Sequence, residues 1–391
     1  MCLLVKPPMS DVALPLSKGT TLGGYSIEKV LGQGGFGLTY LATHKEKGGT
    51  FAIKEYFPSG AAQRSGASTV TPLGSKKKFF DVGLKDFFDE AMLMTTLPAF
   101  PGLVRVVAAM KKFGTTYCVM EFIDGETMDH IMPLMVRSYG HVPEDRILSM
   151  LEYILSALGI VHAQDLIHRD IKLSNIMIDR DGVAWLIDFG AARNLAAPRK
   201  AHSSFTEAFA PIEQFPNVKL KEGPQTDFFA LGVTLYILIA QKAPPTAHKR
   251  KSMVDNGQPD PYTALATEPE LSKKYSARLL EMVDRCCGLY ASERPCSASE
   301  IARGLKLSHK SASWSTQSNQ ITAAMSEIIL PSNQFMDKAK QSLDGLSKVK
   351  EHPMRGDERK PDPLIFSLFL FALAALFTLI AYYVLDYKGV L

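Results

Sequence analysis

Apolar positions alternate over residues 25–31, 38–42 and 51–56, with glycines between the runs, a period-two pattern that predicts a small antiparallel sheet. Residues 117–124 read as a further strand that ends in a turn at Gly125, the expected hinge. Helical spacing governs residues 87–97, 147–162, 226–239 and 277–287, so the later and larger part is predicted to be mainly helical. This is the pattern of an α+β chain with a small strand-rich lobe first and a larger helical lobe after it.

Two stretches break that pattern. Residues 58–78 are rich in Gly, Ser and Thr and end in a run of lysines, which predicts a surface insertion. Residues 308–363, rich in Ser, Gln, Lys and Pro, read as a flexible tether, with transient helix at 320–329 or 336–349 as the alternative. Residues 364–385 are an uncharged stretch of 22 residues, which as a helix reaches roughly 33 Å and spans a bilayer core. A central core helix is the competing reading. Pro361 and Pro363 before the stretch, and Tyr382, Tyr383 and Tyr387 at the depth of an aromatic belt, favour the membrane. Lys348, Lys350, Arg355, Arg359 and Lys360 precede it and Lys388 follows, so the positive-inside bias keeps the N-terminal side cytoplasmic and sends residues 386–391 across. The expected division is an extension over 1–22, a folded domain over 23–307, the tether, a single transmembrane helix and a short tail.

Composition narrows the function classes. At 391 residues the chain exceeds the size at which one core stops growing, so a catalytic domain of up to about 280 residues with an appended segment is the natural division. A net charge of +4 with no basic stripe argues against a nucleic-acid partner. Five cysteines, an odd number with no repeated ligand spacing, point to reduced thiols inside a cell and away from zinc. The apolar patch at 2–5 is too short for a secretion signal.

Chemistry gathers at three places. Gly32, Gly34, Gly35 and Gly37 lie between two predicted strands, where missing side chains let backbone close over a phosphate tail; a ligand-free glycine hairpin is the plain alternative. In the strand at 51–56, alternation puts Ala52 and Lys54 on one face, suiting a flat base and its phosphates. Phe87, Glu90, Met94 and Leu97 share one helical stripe, so Glu90 is an acid among apolar neighbours and needs a cation, with Lys54 the candidate. The third place is the densest: His168, Arg169, Asp170, Lys172 and Asn175, then an Asp181-Gly182 turn, then Asp188-Phe189-Gly190. With Asp181 and Gly182 as the two central residues of a hairpin, Asn175 falls opposite Asp188, and two hard oxygen ligands suit magnesium. Asp170 is placed to accept a hydroxyl proton and Lys172 to offer charge to a transferring phosphoryl group.

Together these motifs resemble the signature set of the eukaryotic-like protein kinase superfamily, and their wording is similar to that of bacterial membrane-linked members. The resemblance covers about residues 25–307 and implies a two-lobed protein kinase fold with a β-rich N-lobe and a helical C-lobe. It implies a protein serine/threonine kinase that takes ATP with Mg2+, or Mn2+ in its place, acts on Ser and Thr of protein substrates, and sits at a bacterial inner membrane with self-association open to it. Leu31, Gly32, Gly34, Gly37, Thr39, Ala52, Lys54, Met120, Glu121, Ile123 and Met177 would surround the nucleotide. Lys54 would pair with Glu90, Asp170 would be the catalytic base with Lys172 assisting, and Asn175 with Asp188 would hold the metal. The resemblance also implies that Thr206 contacts the catalytic aspartate, that Glu213 pairs with Arg294, and that Asp227 anchors the backbone around His168 and Arg169.

Departures from the family wording are Thr39 after the glycine loop, Pro211-Ile212-Glu213, and the insertion; none removes a catalytic group. Arg169 reads as an uncompensated cation, so a phosphate on Ser203, Ser204 or Thr206, added by the chain itself, is expected to neutralise it. The competing classes are a kinase-fold binding protein or scaffold without turnover, and a phosphotransferase for small molecules.

Overall fold

The alternating runs do form a sheet, with an extra hairpin beside it. Residues 14–307, apart from 36, 190–191, 196–205 and 217, are described by the computed structural model. Expectations for 1–13, the tether, the membrane span, the tail, Ser203 and Ser204 lie outside those residues. Strands β1 (Thr21–Leu22), β2 (Tyr25–Gly34), β3 (Gly37–His44) and β4 (Thr50–Tyr56) come first. A hairpin of β5 (Ala62–Ser65) and β6 (Thr69–Pro72) leads into helix α1 (Lys77–Met94). Strands β7 (Val106–Lys112) and β8 (Thr115–Glu121) then complete a six-stranded sheet in the order β1-β2-β3-β4-β8-β7, its pairs antiparallel.

Period two holds along β4: Ile53 and Glu55 are fully buried on one face, while Ala52 and Lys54 are half-buried on the other. Burying Glu55 requires partners, and residues 58–78 supply one. This surface insertion also reaches the interior, placing Arg64 of β5 in a buried ion pair with Glu55, the side chains 1% and 0% exposed. Arg64 bonds both carboxylate oxygens, at 3.1 and 2.7 Å, and the hydroxyls of Tyr40 and Tyr117 donate to the same carboxylate at 2.6 and 2.8 Å. Burial first, then the Glu55 charge, push both phenols above their ordinary range, so they remain donors.

Helix α1 begins at Lys77, well ahead of the stripe at Phe87. Gly83 interrupts the apolar spacing between buried Phe80 and Phe87, and the exposed face carries Lys77–Asp81 and Lys85–Asp89 pairs.

The helical lobe follows. It contains β9 (Gly125–Thr127), α2 (Met128–Tyr139), α3 (Glu144–His162), β10 (Leu166–Ile167), β11 (Ile176–Asp179), β12 (Ala184–Leu186) and β13 (Arg193–Asn194). Then come α4 (Pro224–Ala240), α5 (Ala247–Asp255), α6 (Pro269–Ser272), α7 (Ala277–Cys286) and α8 (Ala298–Gly304). Helix α4 is apolar on all sides and buried along nearly its whole length, so it forms the centre of this lobe, with α7 packed against it and α8 against α3. Among the described residues no helix is long and apolar enough to cross a membrane.

Candidate active site

The loop between β10 and β11 is fixed from beneath by α4. Asp227, in the first turn of that helix and fully buried, accepts the backbone N–H of His168 at 2.8 Å and of Arg169 at 2.7 Å, and meets His162 Nε2 at 2.8 Å. Burial pushes the Asp227 carboxyl up, but the hydrogen bonds and charges of His162, His168 and Arg169 N–H outweigh it, and its pKa lies below the ordinary value. The anchoring role expected of Asp227 is the one it has. His168 is fully buried, and burial lowers its pKa against the opposing pull of Asp227, Asp170 and Asp188. Its Nδ1 accepts the Asp170 N–H at 3.3 Å and its Nε2 faces the Ile187 carbonyl at 3.2 Å, a pattern that assigns the ring proton to Nε2.

Asp170 is the meeting point of the loop. Thr206 Oγ1 donates to its Oδ1 at 2.8 Å, and Lys172 Nζ donates to its Oδ2 at 2.6 Å and to Thr206 at 2.9 Å. Asn175 Nδ2 donates to the Asp170 carbonyl at 2.8 Å and to Oδ2 at 3.0 Å. Lys172 and Asn175, which share one motif with Asp170, are thus brought into direct contact with it, as is Thr206.

The hairpin register differs from the expected one by a single residue. Ile176 pairs with Leu186, Met177 with Trp185 and Ile178 with Ala184, so Asn175 lies opposite Ile187, whose N–H donates to its carbonyl at 2.9 Å. The turn takes in Arg180 as well as Asp181 and Gly182, because Asp179 Oδ1 caps the N–H groups of Asp181 and Val183 at 2.9 Å and Gly182 adopts φ 80°. Asp188 therefore sits one residue beyond the pair, at the same end of the hairpin, with φ 61°. Such left-handed backbone is costly for a residue with a Cβ and is tolerated here and at Arg169, φ 71°, on either side of the same site.

Lys54 reaches across from β4 and forms its ion pair with Asp188. Glu90, the expected partner, lines the same apolar pocket as Lys54, together with Cys118, Met120, Asp188 and Phe189. Cys118 was not singled out in the sequence; burial pushes its thiol up to about 12. Ala52 is paired across the sheet with Met120 and with Leu41. Thr39 is opposite Gly32 and Lys54, and Gly34 is opposite Gly37. A Cβ on Gly37 would come within 1.9 Å of the Glu55 carbonyl, so only glycine lets β3 lie so close to β4, whereas a Cβ on Gly32 or Gly34 would meet nothing within 4 Å. Leu31 beside them is 41% exposed. Met177 lies between Trp185 and Thr127 in the small sheet. Glu121 and Ile123 line a second cavity, of about 480 Å³, with Asp124, Asp179, Arg180 and Trp185, and Glu121 directly follows Met120 of the Lys54 pocket.

The segment that closes the site is bolted to the helical lobe. Arg294 bonds both oxygens of Glu213, at 2.6 and 3.3 Å, in a pair that is 0% and 1% exposed, and Thr226 Oγ1 donates to Glu213 at 3.1 Å. Gln214 Nε2 donates to the Arg169 carbonyl at 2.9 Å. The view of Arg169 as an uncompensated cation is corrected here: its guanidinium donates to Glu222 at 3.2 Å, and the two side chains are 3% and 0% exposed. Glu222 carried no local signal, because nothing in its neighbourhood of the sequence specifies a contact with position 169.

A β-rich lobe and a helical lobe meeting at this arrangement define a protein kinase domain, and the comparisons agree. Residues 25–305 match the model of the protein kinase domain family, and the chain belongs to that family. It is similar to the serine/threonine-protein kinase F of Synechocystis, 32% identical over 229 residues, covering 56% of this chain and 45% of that protein. Among solved structures it is similar to the PpkA-294 apo form, 32% identical with a TM-score of 0.64, covering 74% of this chain and 99% of that one. The kinase domain of Mycobacterium tuberculosis PknI, at 21% identity and a TM-score of 0.53 over 75% of this chain and 98% of that one, shares the fold. The chain spans about half the length, or less, of the curated relatives it matches.

Proposed function

We propose that the chain is a protein serine/threonine kinase that transfers the γ-phosphoryl group of ATP to Ser or Thr hydroxyls of proteins. The observation that carries this is the Asp170 carboxylate, held by Thr206 on one oxygen and by Lys172 and Asn175 on the other. In the proposed reaction the substrate oxygen forms its bond to the γ phosphorus as the bridging bond to ADP breaks, and Asp170 takes the hydroxyl proton. Lys172 presents its ammonium to the transferring group, and Lys54, with Glu90 beside it, meets the remaining phosphates. The open space over Gly32 and Gly34 fits a phosphate tail. Asn175 gives its amide N–H to Asp170, which turns Oδ1 to ligand duty, and with Asp188 it forms an oxygen donor set that fits magnesium. Bound magnesium would neutralise charge gathering on the phosphate oxygens. Glu213, bolted to Arg294, supports a platform for a protein substrate over a pocket for a small molecule.

Radiolabel transfer to a generic basic protein tests the roles. Asp170→Asn and Lys54→Ala are each expected to lower it by about 100-fold or more; unchanged transfer would refute the assignments.

The same reading places the domain at the inner face of a bacterial membrane, with the bilayer and a second copy of the chain as partners. Its support is the uncharged stretch 364–385 and the Lys and Arg excess before it. Confinement to a plane raises the local concentration of neighbouring copies and favours transfer between them. Full-length chain should stay in the membrane pellet at high pH while a chain ending at Leu307 is released; release of both would count against the anchor.

A further inference from the structure

We infer that Glu222 is a positioning residue for phosphoryl transfer: it holds Arg169, and through Arg169 the catalytic loop at Asp170, without any phosphate on the activation segment. The inference rests on the kinase reading and deepens it by assigning how the site is held ready.

Arg169 is fixed on three sides. Its N–H is bound by Asp227 Oδ1 at 2.7 Å, its carbonyl by Gln214 Nε2 at 2.9 Å and its guanidinium by Glu222 Oε1 at 3.2 Å. Those partners come from α4, from the segment at Glu213 and from the loop that precedes α4, so one residue ties together three parts of the lobe. The tie matters because Arg169 has φ 71°, a conformation that persists only where its surroundings over-determine it, and the next peptide carries Asp170. Loss of the guanidinium anchor lets that peptide turn and carries Asp170 away from Thr206 and Lys172.

The pair is also inaccessible. With side chains 3% and 0% exposed, both charges have left water, and each is stabilised only by close partners. A further anion would meet a guanidinium that is out of solvent and already matched in charge. Glu222 is encoded in every copy, whereas a phosphate on Ser203 or Ser204 is acquired, so the loop is ordered from synthesis onward.

The test uses the full chain and steady-state transfer from ATP to a generic protein. Glu222→Gln, which keeps shape and loses charge, should lower kcat by roughly tenfold or more with KM for ATP within about twofold. Glu222→Asp, which keeps the charge, should recover most of the loss, a rescue that a purely volume-filling role would not produce. Ser203→Ala/Ser204→Ala should keep kcat within about twofold of wild type. A folded Glu222→Gln chain with wild-type kcat overturns the inference, as does a tenfold loss in the double serine variant. If Glu222→Gln fails to fold, the Glu222→Asp and serine variants still decide. A wild-type chain no more active than Asp170→Asn instead removes the kinase reading and this inference with it.

Discussion

Thr206 donates to Asp170 and receives from Lys172, so a single hydroxyl sets the spacing between the carboxylate and the ammonium. Its removal is predicted to cost a hydrogen bond to a charged group, about 2 kcal/mol, or on the order of tenfold to thirtyfold in kcat. Steady-state rates of Thr206→Ala against Thr206→Ser, which keeps the hydroxyl, check this; equal losses in both would assign the effect to the methyl group. His168 makes a second prediction. Burial lowers its pKa, with Asp227, Asp170 and Asp188 pulling the other way, so the folded state keeps it neutral while the unfolded chain takes up a proton near pH 6.5. Stability from this group is therefore present above about pH 6.5 and lost as pH falls below it. The lowered Asp227 acts later in the same direction, below its ordinary value of 3.8. Urea unfolding at pH 7.5 and 5.5 should show a smaller acid loss in His168→Gln than in wild type. Asp170 and Asn175 were legible in the sequence because one short motif carries both, and Thr206 through the family resemblance, whereas Glu222 meets Arg169 from 53 positions away and leaves no local trace.

Elements show where local reading stops. The strands at β2, β3 and β4 and the helices α3, α4 and α7 were visible because each buries one face, or in α4 every face, at a regular period. The hairpin β5–β6 was not, since Arg64 is a polar residue whose burial depends on a carboxylate in another strand. The β11–β12 register was misread by one because a side-chain cap by Asp179 favours a longer turn than the Asp-Gly pair alone. The hairpin is also a stabilising element. Arg64→Met leaves Glu55 buried with only two phenol donors, and is predicted to cost about 3–5 kcal/mol in denaturant unfolding. Adding Glu55→Leu removes the stranded charge, so the double variant should lose less than the two single losses combined; strict additivity would show that the pair is not coupled.

At the scale of the molecule, the Lys54–Asp188 ion pair links the sheet lobe to the helical lobe, and the two residues are those assigned to phosphate and to metal. Lys54 cannot face phosphates while Asp188 turns to a cation unless their mutual contact is exchanged for contacts with the ligand. Binding of nucleotide and binding of magnesium should therefore be coupled, each removing a partner that the other would otherwise have to displace. A ligand at 100 times its Kd adds about 2.7 kcal/mol to the folded state, which for a domain of this size is several degrees in Tm, roughly 2–4 °C per kcal/mol. Melting curves of the wild type should rise modestly with nucleotide alone and by that larger amount when magnesium is added. Asp188→Asn should keep the first rise and lose the magnesium-dependent increment, because its carboxamide retains the shape but not the charge that draws a divalent cation. Lys54→Ala should weaken both. An Asp188→Asn chain with an undiminished magnesium increment would place the metal on other residues and break the link between the lobe-bridging pair and catalysis.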